Sequence, residues 1–370
     1  MGPDSRARRG LRALAVTTVI GMALAGTSAL PAGAATPTNI QRGQQGAQWL
    51  ANQIKSNGGV LQNFGKPDPV DTAYAVIGMR ALGVDKPASD QAIAALKTMI
   101  GTDLETGGHA SPGALAQYII AAIADGQDPR HFGGTGAQNN LVGRLLATAR
   151  NGGPDKGLFG SSDPSFDGAY RQGLALAALK AAGVSHNDAR VNLGIAWLTK
   201  QQCANGLWES YRTRPAVVPC VPANPKTFTG PDTNSTALAV EGLAAWAKFP
   251  KQSSVLGSLK KSQSSDAGFP FVAAKGQASD PDSTALVIQA LLAEKSAPSS
   301  ATWKKGANTP YSALAGYQLG CTSPDFGAFI FPGSTSANVF ATVQSAPALA
   351  GQKIPVGASD KSVVLGLTPC

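Results

Sequence analysis

Aromatic residues make up only 6% of this 370-residue chain, charged residues only 14%, and there are three histidines. Each scarcity removes a class of function. The basic residues scatter singly and form no Lys/Arg block, so no nucleic-acid surface is expected. His109, His131 and His186 lie far from every cysteine and no Cys-x-x-Cys occurs, so no metal centre is expected. No Gly-x-Ser-x-Gly elbow, phosphate loop or His-Glu-x-x-His motif is present. Beyond the first segment, no stretch reaches the roughly 18–20 apolar residues that a bilayer span needs. Few runs alternate β-branched with polar residues, which leaves little material for sheets.

The first segment reads as an export signal. Arg6, Arg8, Arg9 and Arg12 precede an apolar run from Ala13 to Leu30, and Ala32-Gly33-Ala34-Ala35 fits a cleavage site. Loss of residues 1–35 removes those four arginines and Asp4, which takes the formal charge from +9 to +6. The expected product is a secreted, monomeric protein with no membrane span. Its body would be residues 36–350, followed by a tail at 351–370. Four cysteines in an exported chain suggest two disulfides. Of the three connectivities, Cys203–Cys220 and Cys321–Cys370 are preferred. The first closes a loop rich in proline, and the second ties down the tail.

What fills the chain is a repeat of about fifty residues. Gly-containing turns followed by an apolar residue recur, as in Gly157-Leu158-Phe159, Gly206-Leu207-Trp208 and Gly268-Phe269. After each comes an Ala-rich segment with a polar start: Asp71-Thr72-Ala73, Ser111-Pro112-Gly113-Ala114, Asp167-Gly168-Ala169, Ser235-Thr236-Ala237, Asp282-Ser283-Thr284-Ala285 and Ser334-Thr335-Ser336-Ala337. Those segments are apolar on every side and should be buried, whereas the segments before them, such as Gln44 to Lys55, are amphipathic. The fold class expected is all-α: an α/α toroid of about six helical hairpins, with Ala-rich helices inside and amphipathic helices outside.

These repeats resemble the prenyltransferase and squalene-cyclase repeat family of α/α toroids. The resemblance rests on Trp197-Leu198, Gln201-Gln202, Gly206-Leu207-Trp208 and Ser235-Thr236-Ala237-Leu238, echoed by Trp49-Leu50, Gln53, Gly59 and Asp71-Thr72-Ala73. Residue by residue, the zinc ligands of protein prenyltransferases and the Cys-Gly-Glu-Gln of thioester domains are missing. The class II cyclase motif, Asp-x-Asp-Asp-Thr-Ala, is approached by Asp280-Pro281-Asp282-Ser283-Thr284-Ala285. That match implies Asp280 and Asp282 as catalytic residues, with Asp282 the general acid. The alternative for Asp282 or Ser283 is a plain helix cap. The α-domain of cobalamin carriers such as transcobalamin and intrinsic factor is closest in character. It is matched by the run Asp167 to Leu179, and it implies a cobalamin-like ligand, although no segment here resembles those carriers' small β domain.

Because inner helices of a toroid run the same way, their polar starts should ring one mouth. The candidate ligand residues there are Asp71, Thr72, Tyr74, Asp167, Tyr170, Arg171, Asp232, Asn234, Asp282 and Thr284. A carboxylate pair for glycoside hydrolysis could come from Asp167 and Asp282, although nothing in the spacing selects that pair. The reading that results is a non-catalytic secreted module that needs no cofactor. It would hold a small molecule, or a cell-surface or extracellular protein, at the polar mouth. The alternatives are a class II terpene-cyclase-like enzyme and a cell-surface interaction scaffold.

Overall fold

The computed structural model describes residues 36–355, apart from 102–103, 107, 162–166, 213–218 and 249–251. The chain divides into Met1–Thr36 and Pro37–Cys370. The expected signal segment lies outside the described residues. So does Cys370, and with it the expected Cys321–Cys370 pairing. Among the described residues no helix is long and apolar enough to cross a membrane.

Twelve α-helices appear among the described residues. They are α1 (Asn39–Ser56), α2 (Pro69–Leu82), α3 (Lys86–Thr98), α4 (Pro112–Ala124), α5 (Leu141–Ala147), α6 (Ala169–Ala181), α7 (Ala189–Lys200), α8 (Thr233–Ala245), α9 (Gln252–Ser262), α10 (Pro281–Ala293), α11 (Pro310–Ala315) and α12 (Val339–Leu349). The even-numbered helices form a ring: α2 packs on α4, α4 on α6, α6 on α8, α8 on α10, α10 on α12, and α12 back on α2. The odd-numbered helices α3, α5, α7 and α11 each pack outside this ring, and α1 lies across the α12–α2 seam and closes it. The toroid expected from the repeats is therefore present. Two short antiparallel hairpins, β1 (Gln62–Asn63) with β2 (Lys66–Pro67) and β3 (Glu105–Thr106) with β4 (His109–Ala110), lead into α2 and α4.

Burial follows the two kinds of helix. In α8 every residue from Thr233 to Leu243 is buried, whereas α7 buries only Val191, Gly194, Trp197 and Leu198, one stripe at helical spacing. Small residues let the inner helices approach closely. Where α6 meets α8, a Cβ on Gly173 would lie 2.1 Å from the Leu238 carbonyl oxygen, and one on Gly242 would lie 2.4 Å from that of Gly173. Only hydrogen fits at either position.

The device that sets the repeat is a threonine. The apolar residue after the glycine turn donates its backbone N–H to an inner-helix hydroxyl: Leu61 to Thr72 at 2.9 Å, Trp208 to Thr236 at 3.0 Å, Phe269 to Thr284 at 2.9 Å and Phe329 to Thr342 at 2.9 Å. In the third hairpin Gln172 Oε1 takes this place and accepts from Phe159 N at 2.8 Å. Each bond ties an outer-to-inner turn to the helix it feeds. Thr284→Val should strand the buried Phe269 N–H and cost about 1–3 kcal/mol, read as a lower denaturant midpoint at unchanged slope.

Several helix starts differ from expectation. α2, α8 and α10 are capped by Asp68, Asp232 and Asp280, which accept from the N–H of Asp71, Ser235 and Ser283. Asp71, Ser235, Asp282 and Ser283 are therefore not caps. Gly168 opens α6 without a side-chain cap. The last inner helix begins at Val339 behind Asn338, so Ser334 and Thr335 belong to the loop before it. In the last hairpin the register-setting residue is Thr342, so Ala337 is not the counterpart of Ala73. The disulfide Cys203–Cys220 forms as expected, with Cα atoms 5.6 Å apart.

Candidate active site at the toroid mouth

The N-terminal ends of α2, α4, α6 and α12 line a cavity of about 440 Å³. Asp71 of α2, Gly113 and Gln117 of α4, Tyr170, Arg171 and Leu174 of α6, and Phe340 of α12 line it, with Glu105 from β3 at the rim. Ile354 is buried and donates its N–H to Glu241 Oε2 of α8 at 2.7 Å.

The carboxylates carry the chemistry. Because Asp280 caps α10, Asp282 in the first turn is free of that duty. It is 4% exposed, and its Oδ1 has no hydrogen-bond partner within the protein. Burial, then the fields of Asp280 and Asp71, hold its pKa well above the ordinary carboxylate range. Burial and the neighbouring Asp68 push Asp71 up to about 7. Burial raises Asp232 to about 7 against the hydrogen bond from Ser235 N. The fields of Asp282 and Asp71 also reach Tyr74 and Tyr170, whose pKa values are raised first by burial. Asp71, Asp282, Tyr74 and Tyr170 therefore form one cluster, and the Tyr74 hydroxyl has no partner within the protein.

Other candidates separate from this cluster. Thr72 and Thr284 are wholly buried and their hydroxyls serve the turns, so neither faces the cavity. Asp167 accepts from Ser161 N at 2.6 Å, Ser161 Oγ at 3.0 Å and Arg171 Nη1 at 3.1 Å. It therefore anchors a turn and Arg171, and the carboxylate whose field reaches Asp282 is Asp71. Asn234 is buried beside Thr233. Cys203, Glu209 and Cys220 bring potential metal ligands together, but the two sulfurs are bonded to each other.

The structure adds residues that the sequence reading missed. Glu241, Gln289 and Gln344 are buried in α8, α10 and α12, each with a side-chain oxygen lacking a partner within the protein, and Gln117 of α4 has the same feature. The available signal was a lone Glu or Gln inside an otherwise apolar inner helix, since buried polar groups are normally paired. Tyr170 and Phe340 are the aromatic residues that line the cavity. All five tryptophans are engaged elsewhere, their indole N–H groups donating to Asp325, Asp155, Leu198 O, Leu176 O and Ser296.

The raised acids set a pH dependence. Glu241, pushed to about 8 by burial, keeps its proton in the folded state at a pH where the unfolded chain has lost it. Its contribution is complete below the ordinary carboxylate range and is lost as pH rises through about 8. Asp71 and Asp232 act in the same direction through about 7. The melting temperature should therefore fall between about pH 5 and pH 9, and Glu241→Gln, which keeps an acceptor for Ile354 N–H, should flatten that fall.

No family model matches this sequence, and a search of curated proteins finds no match. Solved structures do match. An unsaturated glucuronyl hydrolase specific for heparin superposes with a TM-score of 0.59 at 14% identity, covering 85% of this chain and 96% of that one. A type II terpene cyclase from Scytonema gives 0.53 at 16% identity, covering 84% and 98%. The fold is a terpenoid cyclase-like α/α toroid. A Candida albicans protein geranylgeranyltransferase-I chain shares the same toroid, with a TM-score of 0.54 at 12% identity over 85% of this chain and 96% of that one. These structures share the α/α toroid that the resemblance implies, and they do not show the comparison with cobalamin carriers. At such identities the toroid is shared and activity is not carried across.

Proposed function

We propose that this toroid is an acid–base enzyme acting on a small, hydroxylated molecule held at the mouth, with Asp282 as proton donor and Asp71 as its basic partner. The observation that carries this reading is the buried, uncapped Asp282, whose free oxygen sits in the field of a second carboxylate. Two acids whose environments push their pKa values apart are suited to opposite roles. Burial and the neighbouring carboxylates favour the protonated form of Asp282, which gives its proton to the substrate. Asp71, near 7, takes a proton from the attacking water. The net reaction is addition of water across an unsaturated or acetal bond, and the proton that Asp71 takes from that water then restores Asp282.

The lining favours a polar substrate. Gln117, Tyr170, Arg171 and Asp71 offer hydrogen bonds, whereas a cation formed during polyene cyclisation would need aromatic faces. The glucuronyl hydrolase neighbour is consistent with a sugar-like ligand. The cyclase reading has one observation in its favour, the same buried, uncapped Asp282 with its raised pKa. Export of the mature chain as a monomer belongs to this proposal as well.

The test is a substrate panel of unsaturated uronate disaccharides, glycosides and polyprenyl compounds, offered to the wild type and to Asp282→Asn. Hydration or hydrolysis of a sugar, lost in the variant, supports the proposal. Cyclisation of a polyprenoid supports the cyclase instead. Binding without turnover by either protein restores the non-catalytic module.

A further inference from the structure

A second cavity, about 530 Å³, lies between β4, the C-terminal end of α5 and the turn at Gly160-Ser161. Arg144, Arg150, His109, Thr148 and Ser161 line it, and none of its described lining residues is acidic. Both arginines keep their charge uncompensated by any ion pair among the described residues. The Arg144 guanidinium is held by backbone carbonyls, those of Ile100 and of Gln138, the latter at 3.2 Å. Carbonyls orient a guanidinium without neutralising it. Glu105 is the carboxylate whose field reaches Arg144, and burial opposes it by lowering the Arg144 pKa. Nothing among the described residues pairs with the Arg150 side chain, which is exposed.

This cavity adjoins the mouth. Glu105, at the rim of the mouth, is the strand partner of Ala110, which lines the second cavity. Ser161, in the second cavity, is bonded to Asp167, which in turn holds Arg171 of the mouth. Outer helices end on the face where inner helices begin, so both cavities open on the same side.

We propose that this cavity is an anion subsite: it takes the sulfate or carboxylate group of a hydroxylated substrate whose reacting end lies at Asp282. The inference rests on the small-molecule reading of the mouth and adds the charge and reach of the ligand. Guanidinium groups match such oxyanions with paired N–H donors, and His109 can supply a further contact.

The test is calorimetric binding of a sulfated disaccharide, its unsulfated counterpart and inorganic sulfate to the full chain, in wild type, Arg150→Gln and Asp282→Asn. The wild type should prefer the sulfated sugar by roughly ten- to a hundredfold, the size of a charge-assisted contact. Arg150→Gln should erase most of that preference, and added salt should weaken it. Asp282→Asn should keep it, because Asp282 does not line this cavity. The Arg150 side chain pairs with nothing among the described residues, and its backbone bonds to Leu158 and Gly157 survive the substitution, so its variant should fold; Arg144→Gln, which loses backbone anchors, is scored only beside its melting curve. Equal affinity for both sugars, or a preference that survives Arg150→Gln, overturns the proposal. Inorganic sulfate binding as tightly as the sulfated sugar overturns the substrate subsite and leaves a bare anion site. Because binding is read without turnover, an inactive but sulfate-selective wild type would refute the enzymatic reading alone.

Discussion

Asp282→Asn is expected to lower kcat by on the order of 10²–10⁴-fold, the range seen when a positioned proton donor is removed. The amide has the same shape and cannot give up a proton as an acid. The fold should be untouched, because the Asp280 carboxylate caps α10 and Asp282 Oδ1 bonds to nothing in the protein. Stability above neutral pH should rise slightly, since a buried group that resists ionisation has been replaced by one that cannot ionise. The wild-type rate should fall as pH rises through the raised pKa of Asp282, and this limb should vanish in the variant. Substrate affinity measured at equilibrium should change little. A variant that keeps full turnover with an unaltered pH profile would remove Asp282 from the mechanism.

Gly173→Ala is the second large effect, and it acts on the ring itself. The added methyl would sit 2.1 Å from the Leu238 carbonyl oxygen, so two helix backbones must separate. Overpacking of this kind costs about 1–3 kcal/mol when side chains can yield. Here the obstacle is backbone, and the loss should be at or above the top of that range. Gly257→Ala in α9 makes the contrast. Its Cβ would meet nothing within 4 Å, so helix propensity should stabilise the chain by about 0.5–1 kcal/mol. Opposite signs for the same chemical change, read by thermal melts, check that inner helices touch backbone to backbone. Equal effects at both sites would contradict the close approach of α6 and α8.

The ring was readable because burial leaves a compositional mark. Ala- and Gly-rich segments apolar on all sides alternate with amphipathic ones, and only an enclosed layer inside an outer one accommodates both. The site was harder to read, for two physical reasons. A helix buried all round has no apolar stripe, so nothing in its periodicity tells the cavity side, where Gln117 lies, from the sides against neighbouring helices. Helix starts are also ambiguous by one or two residues, and the chemistry turns on that margin. With Asp280 as cap, Asp282 is released from capping and keeps an oxygen without a partner; had Asp282 been the cap, its carboxylate would have been consumed by backbone N–H groups. The same margin made Thr72 and Thr284 look like ligand contacts when their hydroxyls hold the turns. Polar residues stranded in apolar helices, Glu241 and Gln289 above all, were the overlooked signal of a lumen that keeps unpaired groups.

Everything chemical in this account depends on a proton residing on the Asp282 carboxyl at neutral pH. An infrared difference spectrum between the wild type and Asp282→Asn at pH 7 reads that proton directly, and subtraction cancels the other buried acids. The account predicts a protonated-carboxyl stretch in the wild type that is missing from the variant. A difference spectrum showing only the bands of an ionised carboxylate would contradict it.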